Sequence, residues 1–445
     1  MEFLDRIEEK KRLSTFIAHP ESGFACLYGR RRIGKSRLLR EVLMDHPHSI
    51  YYIADKSNAH LQRSRLADDL STLIPFFNAV TYQHWGALFD RWRNDAPAGS
   101  CLILDEFPYL ATNSPELPSV LQRCIDTLPP EKRLKIIICG SSQRMMQGFV
   151  LSSTEPLYGR AREIIRLAPI GFPWMKQAFP GMSFMERLTH YAVWGGVPRY
   201  WELSENESSF LDSLRTHVFS PLGILHSEPE HLLLDDIPNS IQAFSILTLL
   251  GQGCQRIGEI ASRLQCPATA LSGPMKRLMD LGLIARQIPF GSNPKDNKRS
   301  YYSISDPFLS FWYRFALPNL SDEMYLTTSA DVERFQAQFR PYLGKKWEEL
   351  LQRMLSTEPS FVFDTRWRNC ANWWGNGLDG HAMEVDVVAE SPDGQTLLVG
   401  EAKLSVPPQE RASLEEELKR KAANLPMAKS YGNIITKLFV ATDYE

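Results

Sequence analysis

The sequence contains no apolar run near the roughly 20 residues that a membrane-crossing helix needs. Ile136–Ile138 and its neighbours, among the longest apolar stretches, fall far short. The first residues, MEFLDRIEEKK, are charged from position 2 and form no apolar secretory core, so a cytoplasmic location and no membrane association are expected. Cysteine is scarce and scattered. The seven (Cys26, Cys101, Cys124, Cys139, Cys254, Cys266 and Cys370) are odd in number and form no CxxC pair, which excludes a disulfide scaffold and a zinc ribbon. There is no HExxH motif, no histidine near a cysteine at ligand spacing, no internal repeat and no low-complexity segment. Neither sign of charge dominates: 50 Lys+Arg against 52 Asp+Glu leave −2. Any surface for a nucleic acid must therefore be a local patch.

What is present is enough to bury sizeable cores. The chain has 445 residues, 43% hydrophobic and 23% charged. At roughly 100–200 residues per domain, such a length predicts two to four domains. Residues 1–171 alternate short apolar runs with helical patterns, as a parallel α/β sheet requires. Strands are expected at Phe24–Tyr28, Ile50–Ile53, Cys101–Leu104, Lys135–Cys139 and Glu163–Leu167. Residues 172–238 read as a helical unit, 239–305 as three helices and a hairpin, and 306–445 as a final α/β unit.

The strand FACLY runs into Gly29-Arg-Arg-Arg-Ile-Gly34-Lys35-Ser36, which fits GxxxxGK[ST], and then into the helical run SRLLREVLM. This context suits a loop whose backbone N–H groups surround phosphates at a helix N-terminus. Gly29, Arg30, Arg31, Arg32, Ile33, Gly34, Lys35, Ser36 and Arg37 are thus the candidate ATP-binding residues. Lys35 would reach the β- and γ-phosphates and Ser36 would ligate Mg²⁺. CLILDE supplies the partner element. Asp105 would hold Mg²⁺ at the carboxyl edge of the sheet, and Glu106 would polarise a water. A third strand ends in Gly140-Ser141-Ser142, where Ser142 is the candidate for orienting that water; its alternative role is to cap the next helix. Arg160 and Arg162 place two guanidinium groups on one loop, as arginine-finger candidates or as surface residues.

FLDRIEE from Phe3, GRRRIGKS, IADK at 53–56, LILDEFPYL, ICGSS, LYGRA and WGGVPRY from Trp194 occur in one order. Together they resemble the archaeal-type P-loop ATPases of the signal-transduction (STAND) branch of AAA+-like ATPases. Ile7 departs from the pattern, which commonly has an acidic residue there. The resemblance implies that Phe3 and Arg6 line an adenine pocket and that Pro198, in a helical lid, closes over the nucleotide.

Residues 243–250, 256–264 and 268–281 read as helices, and 283–289 with 299–303 as strands about the polar tip GSNPKDNK: a winged-helix pattern. Across residues 256–302, eight basic side chains face three acidic ones, a local excess that suits a phosphate backbone. The alternative is a protein-binding clamp, because the third helix spends its apolar side chains on packing and carries Gly273-Pro274.

In the last unit, Asp386 lies on one expected strand, and Glu401 and Lys403 on the next. Two carboxylates beside a lysine can hold a divalent metal and activate water. The pattern resembles the PD-(D/E)xK nuclease core, with Glu348 on the preceding helix as a further acidic ligand. It also resembles the C-terminal domain of unknown function attached to these ATPases. Glu348, Asp386 and Glu401 are therefore a candidate second metal site. The expected fold class is α/β: a P-loop sheet of the AAA+ type with a helical lid, a winged helix-turn-helix and a restriction-endonuclease-like C-terminal domain. The expected activity is an ATP-hydrolysing switch acting on DNA through its winged helix and C-terminal unit, with a protein partner or self-association. The alternative is a slow ATPase whose inert C-terminal unit serves as an adaptor.

Overall fold

The computed structural model describes residues 3–237, 240–293, 295, 299–322, 325–358 and 364–444. Asp296 and Lys298 of the counted basic stretch, and the boundary at residue 238, lie outside these residues. Five strands form a parallel sheet: β1 (Gly23–Tyr28), β2 (Ser49–Ile53), β3 (Cys101–Asp105), β4 (Lys135–Gly140) and β5 (Ala161–Arg166), ordered β2-β3-β4-β1-β5. Every residue of β1, β3 and β4 is buried. Helices cover both faces, so the strands read as continuous apolar runs rather than alternating ones. Alternate side chains serve two cores. Phe24, Cys26, Leu102, Leu104, Ile136 and Ile138 pack on one face. Ala25, Leu27, Ile103, Ile137 and Cys139 pack on the other.

This order inserts β4 between the strand that feeds the glycine loop and the strand that ends in Asp105. The three strand ends carrying Gly29, Asp105 and Ser141 therefore converge at the carboxyl edge, where open α/β sheets bind ligands.

After β5 the chain is helical from Met175 to Asp236. Helices Ser240–Gly251, Ile257–Arg263 and Ala268–Asp280 follow, then β6 (Ile284–Gln287) and β7 (Tyr301–Ile304), paired antiparallel. The long helix Ser329–Thr357 leads into a separate sheet of β8 (Arg368–Asn376), β9 (Ala382–Glu390), β10 (Thr396–Lys403) and β11 (Asn433–Val440). Strands β8, β9 and β10 are antiparallel neighbours, and β11 joins β10 in parallel. One apolar core runs from Phe172 and Trp201 through Leu247, Leu278 and Phe311 to Trp347 and Phe439, across the limits drawn at residues 238 and 305. The hairpin is also tied to the last sheet. Phe290 packs among Trp373, Val385 and Leu397. Its N–H donates to the Asn372 carbonyl at 2.9 Å, and the Tyr301 ring lies 4.5 Å from that of Trp374. Among the described residues no helix is long and apolar enough to cross a membrane.

Candidate nucleotide site and C-terminal carboxylate cluster

The glycine loop is shaped by two backbone demands. A Cβ at Gly29 would meet the Leu167 carbonyl oxygen at 2.7 Å, so only glycine permits this approach of loop to β5. Gly34 has φ 97°, in the left-handed region that glycine adopts without steric cost. Helix Lys35–Leu43 starts directly after it. Lys35 is buried, and its Nζ donates to the Gly29 carbonyl (2.8 Å), the Arg30 carbonyl (3.1 Å) and Ser141 Oγ (3.2 Å). Ser36 Oγ donates to Asp105 Oδ2 at 2.9 Å. A hydroxyl and a carboxylate held this close are the hard oxygen donors that Mg²⁺ prefers, so the pair fits that ion.

Asp105 is almost fully enclosed. Its Oδ1 accepts from the Glu106 N–H at 2.9 Å, and its Oδ2 also accepts from Tyr51 Oη at 2.5 Å. Burial and the Asp105 charge push the Tyr51 phenol far up, which keeps it a proton donor. Glu106 sits at φ 53°, unusual for a side-chain-bearing residue. Its carboxylate accepts from Ser141 Oγ (2.5 Å) and from the Ser141 N–H (3.3 Å). Beside this pair lies a cleft of about 310 Å³, lined by Arg31, Lys56, Glu106, Tyr109, Asn113 and Ser141.

The hydroxyl at the heart of the site is thus that of Ser141, and Ser142 does the other job. Ser142 Oγ caps helix Gln143–Leu151 at the Met145 N–H and donates to Asp236 Oδ1 at 3.0 Å. The arginine-finger assignment also needs correction for this chain's own site. Arg160 precedes β5 and Arg162 lies near its start, where Ala161 pairs with Phe24 and Glu163 with Ala25. That is the end of the sheet opposite the loop, about 15 Å away at ~3.3 Å per residue. Arg160 is held by Asp126 and Arg162 by Glu21. Tyr51 and Ser141 were missed; the only signal was position, one at a strand beside β3 and one at the last turn-out of β4.

The N-terminal segment does reach the loop. Arg6 is buried and its Nη2 donates to the Ile33 carbonyl at 3.2 Å. Arg37 lies 6.0 Å from the Phe3 ring and 3.5 Å from Glu202. Ile33 itself points into the core. From the helical segment after β5, Pro198 Cγ lies 4.0 Å from where a Cβ on Gly34 would stand, and Ile170 N donates to the Gly196 carbonyl at 2.8 Å. Two loop arginines bond outward: Arg30 to Asp306 and to Tyr200 Oη (2.8 Å), and Arg32 to Glu228 (3.0 Å).

In the C-terminal sheet, Asp386 and Glu401 come to one end of the β9–β10 pair. Ladder pairing stops at Val387–Gly400, and Asp386 Oδ2 then takes the Ala402 N–H at 2.9 Å. Glu401 is shared by Lys403 (2.8 Å) and Lys421 (3.1 Å), and Glu348 binds Lys345 (2.6 Å). Burial, then the Asp386 charge, pushes Glu348 up to about 7. Burial, then Glu401, raises Asp386. The carboxylates feel one another, yet each is occupied by its own partner. Glu348, Asp386 and Glu401 thus lie within electrostatic reach of one another, but among the described residues no group of three or more His, Cys, Asp or Glu side chains is arranged to hold a metal ion.

Comparison with known proteins follows the same division. Residues 3–189 match a family described as an ATPase domain predominantly from Archaea, and residues 312–420 one described as archaeal and bacterial proteins of unknown function. An uncharacterised protein of Methanocaldococcus jannaschii is 29% identical over 404 residues, covering 90% of this chain and 87% of the relative. The Walker-type ATPase PABY2304 of Pyrococcus abyssi superposes with a TM-score of 0.53 at 20% identity, covering 70% of this chain and 96% of that one. A STAND protein with a tetratricopeptide-repeat sensor from Pyrococcus horikoshii aligns at a TM-score of 0.34 and 15% identity, over 81% of this chain and 52% of its own. The fold is that of the P-loop ATPases. The chain therefore carries a match to that archaeal ATPase domain family over residues 3–189 and a match to the archaeal and bacterial family of unknown function over residues 312–420.

Proposed function

We propose that the protein is an ATP-hydrolysing switch. The observation that carries this reading is the meeting of three strand ends: Ser36 against Asp105 at 2.9 Å, and Glu106 against Ser141 at 2.5 Å with Lys35 beside them. Bound Mg²⁺ would neutralise charge on the triphosphate, with Ser36 and Asp105 as its protein ligands. Lys35 offers a buried cation to the phosphates. Glu106, kept in place by Ser141, is suited to take a proton from water at the cleft beside it. Phe3, Arg6 and Pro198 border the loop and are proposed to close the nucleotide in. Lys35→Ala should lose binding of a fluorescent ATP analogue. Glu106→Gln should keep binding and lose phosphate release. Normal turnover by either variant would overturn the assignment.

The helices Ser240–Asp280 and the β6–β7 pair are read as a winged helix. Lys276 and Arg277 are exposed on its third helix, which favours contact with a DNA backbone. Alanine at both should weaken duplex binding in a gel shift and reduce its salt dependence. A second reading of the C-terminal unit, as a metal-dependent nuclease, is favoured by the half-buried Asp386 lying within electrostatic reach of Glu401 and Lys403. Incubation of labelled DNA with Mn²⁺, with and without ATP, decides it. Cleavage lost in Asp386→Ala supports the nuclease, and no cleavage with intact ATP turnover leaves an adaptor.

A further inference from the structure

The residues between Gly29 and Gly34 serve a phosphate cradle through their backbone N–H groups, so the motif does not prescribe their side chains. Here two of them are arginines committed to carboxylates of distant segments. Arg30 pairs with Asp306 and donates to Tyr200 Oη at 2.8 Å. Arg32 pairs with Glu228 at 3.0 Å, and Tyr200 Oη donates to Glu228 Oε1 at 2.9 Å. Arg30 is 9%, Glu228 2% and Tyr200 0% exposed, so this is an enclosed ionic network rather than a surface pair. It is incompletely satisfied: Arg30 Nε is buried without a hydrogen bond, and Arg32 Nη1 meets Glu228 as an ion pair outside hydrogen-bond geometry.

The network reaches two other segments of the chain at once. Asp306 Oδ1 caps helix Pro307–Phe311 at the Leu309 N–H, 2.8 Å away, where the chain enters the C-terminal unit. Glu228 opens helix Glu228–Asp236, whose last residue, Asp236, accepts from Ser142 Oγ at 3.0 Å and from the Arg144 N–H at 3.2 Å. This one helix thus touches the glycine loop at its start and the end of β4 at its finish. Gln143, next to Ser142, also donates to the Leu281 carbonyl at 3.4 Å.

We propose, resting on the nucleotide-binding reading above, that Arg30 and Arg32 form an exchangeable latch. They hold Asp306 and Glu228 when no phosphate competes, and they turn to the triphosphate when it is bound. A guanidinium fork suits carboxylate and phosphate alike, but the triphosphate carries more charge and more acceptor oxygens than one carboxylate. The Arg30 carbonyl lies 3.1 Å from Lys35 Nζ, so its side chain starts beside the cradle. Exchange frees Asp306 and Glu228 together, and with them the lid contact at Tyr200 and the entry to the C-terminal unit. Linkage is reciprocal: whatever factor the latch takes from ATP affinity, ATP takes from the latch.

Asp306→Asn in the full chain removes the charge and keeps the helix cap, because asparagine caps as well as aspartate. Glu228→Gln keeps an acceptor for Tyr200. Titration with a fluorescent ATP analogue should show each variant binding at least about five-fold more tightly than wild type, the lower end of ordinary site-to-site coupling. ATP should increase trypsin cleavage near residues 305–322 in wild type, and Asp306→Asn should show that cleavage without ATP. Equal or weaker binding by the variants would overturn the latch and leave these pairs as fixed props. Should Asp306→Asn fail to fold, as judged by circular dichroism, Glu228→Gln alone decides by the same titration. Wild type that binds no analogue would remove the nucleotide reading and the latch with it. Binding without tightening in the variants removes the latch alone.

Discussion

Ser141 and Ser142 are adjacent in sequence and opposite in role, and alanine at each position separates them. Ser141 Oγ lies 2.5 Å from Glu106 Oε1 and 3.2 Å from Lys35 Nζ. A hydrogen bond to a charged group contributes about 1.5–3 kcal/mol. If that is lost from positioning Glu106, at 1.36 kcal/mol per tenfold, turnover falls by about 10- to 150-fold. The second anchor, the Ser141 N–H to Glu106 at 3.3 Å, survives the substitution, so activity should be reduced and not abolished. Ser142→Ala removes a helix cap and the bond to Asp236. A lost cap costs about 0.5–2 kcal/mol of stability, with turnover staying within a few-fold. Phosphate release at saturating ATP, with thermal melting alongside, reads both. Loss of turnover in Ser142→Ala with normal turnover in Ser141→Ala would refute the placement.

Gly196→Ala should destabilise by about 3 kcal/mol or more, from overpacking plus a lost backbone bond. Its Cβ would stand 1.9 Å from the Ile170 carbonyl oxygen, and calorimetry should show an early transition. Arg160→Ala and Arg162→Ala should leave melting and ATP turnover close to wild type, because exposed ion pairs at the far sheet edge contribute little. A tenfold loss of turnover that grows on dilution would instead show them acting between copies of the chain. Glu348, pushed up to about 7, keeps a proton in the folded state that the unfolded chain has already released. Its contribution is therefore present below about pH 4.5, the ordinary glutamate value, and is lost as pH rises through about 7. Glu348→Gln should flatten the fall in melting temperature over that window, and an unchanged slope would assign it to other groups.

The glycine loop and the acidic strand end were readable because their chemistry constrains local sequence: two glycines, a lysine and a serine at fixed spacing, then an apolar run closed by Asp105. The five strands were readable because burial on both faces leaves no polar interruption. The choice between Ser141 and Ser142 was not, since both can cap a helix and only the direction of the β4 exit decides which one turns toward Glu106. Where Arg160 and Arg162 would lie relative to this chain's own loop was not readable for a related reason. Arginine chemistry suits phosphate anywhere, but strand direction puts these two at the edge away from this chain's own loop. The roles of Tyr200, Glu228 and Asp306 come from contacts 170 to 276 residues away from Arg30 and from Arg32's pairing across the fold. No local pattern announces such pairs.

The insertion of Phe290 into the C-terminal core has a practical and a mechanical consequence. A fragment ending near residue 305 would present Phe290 and Tyr301 to water, and one starting there would lose the plug between Trp373 and Leu397. The hairpin and the last sheet should thus express well only together. Helix Ala268–Asp280 is thus joined to β9 and β10 by side-chain packing, through β6 and the Phe290 ring, and not by chain connection alone.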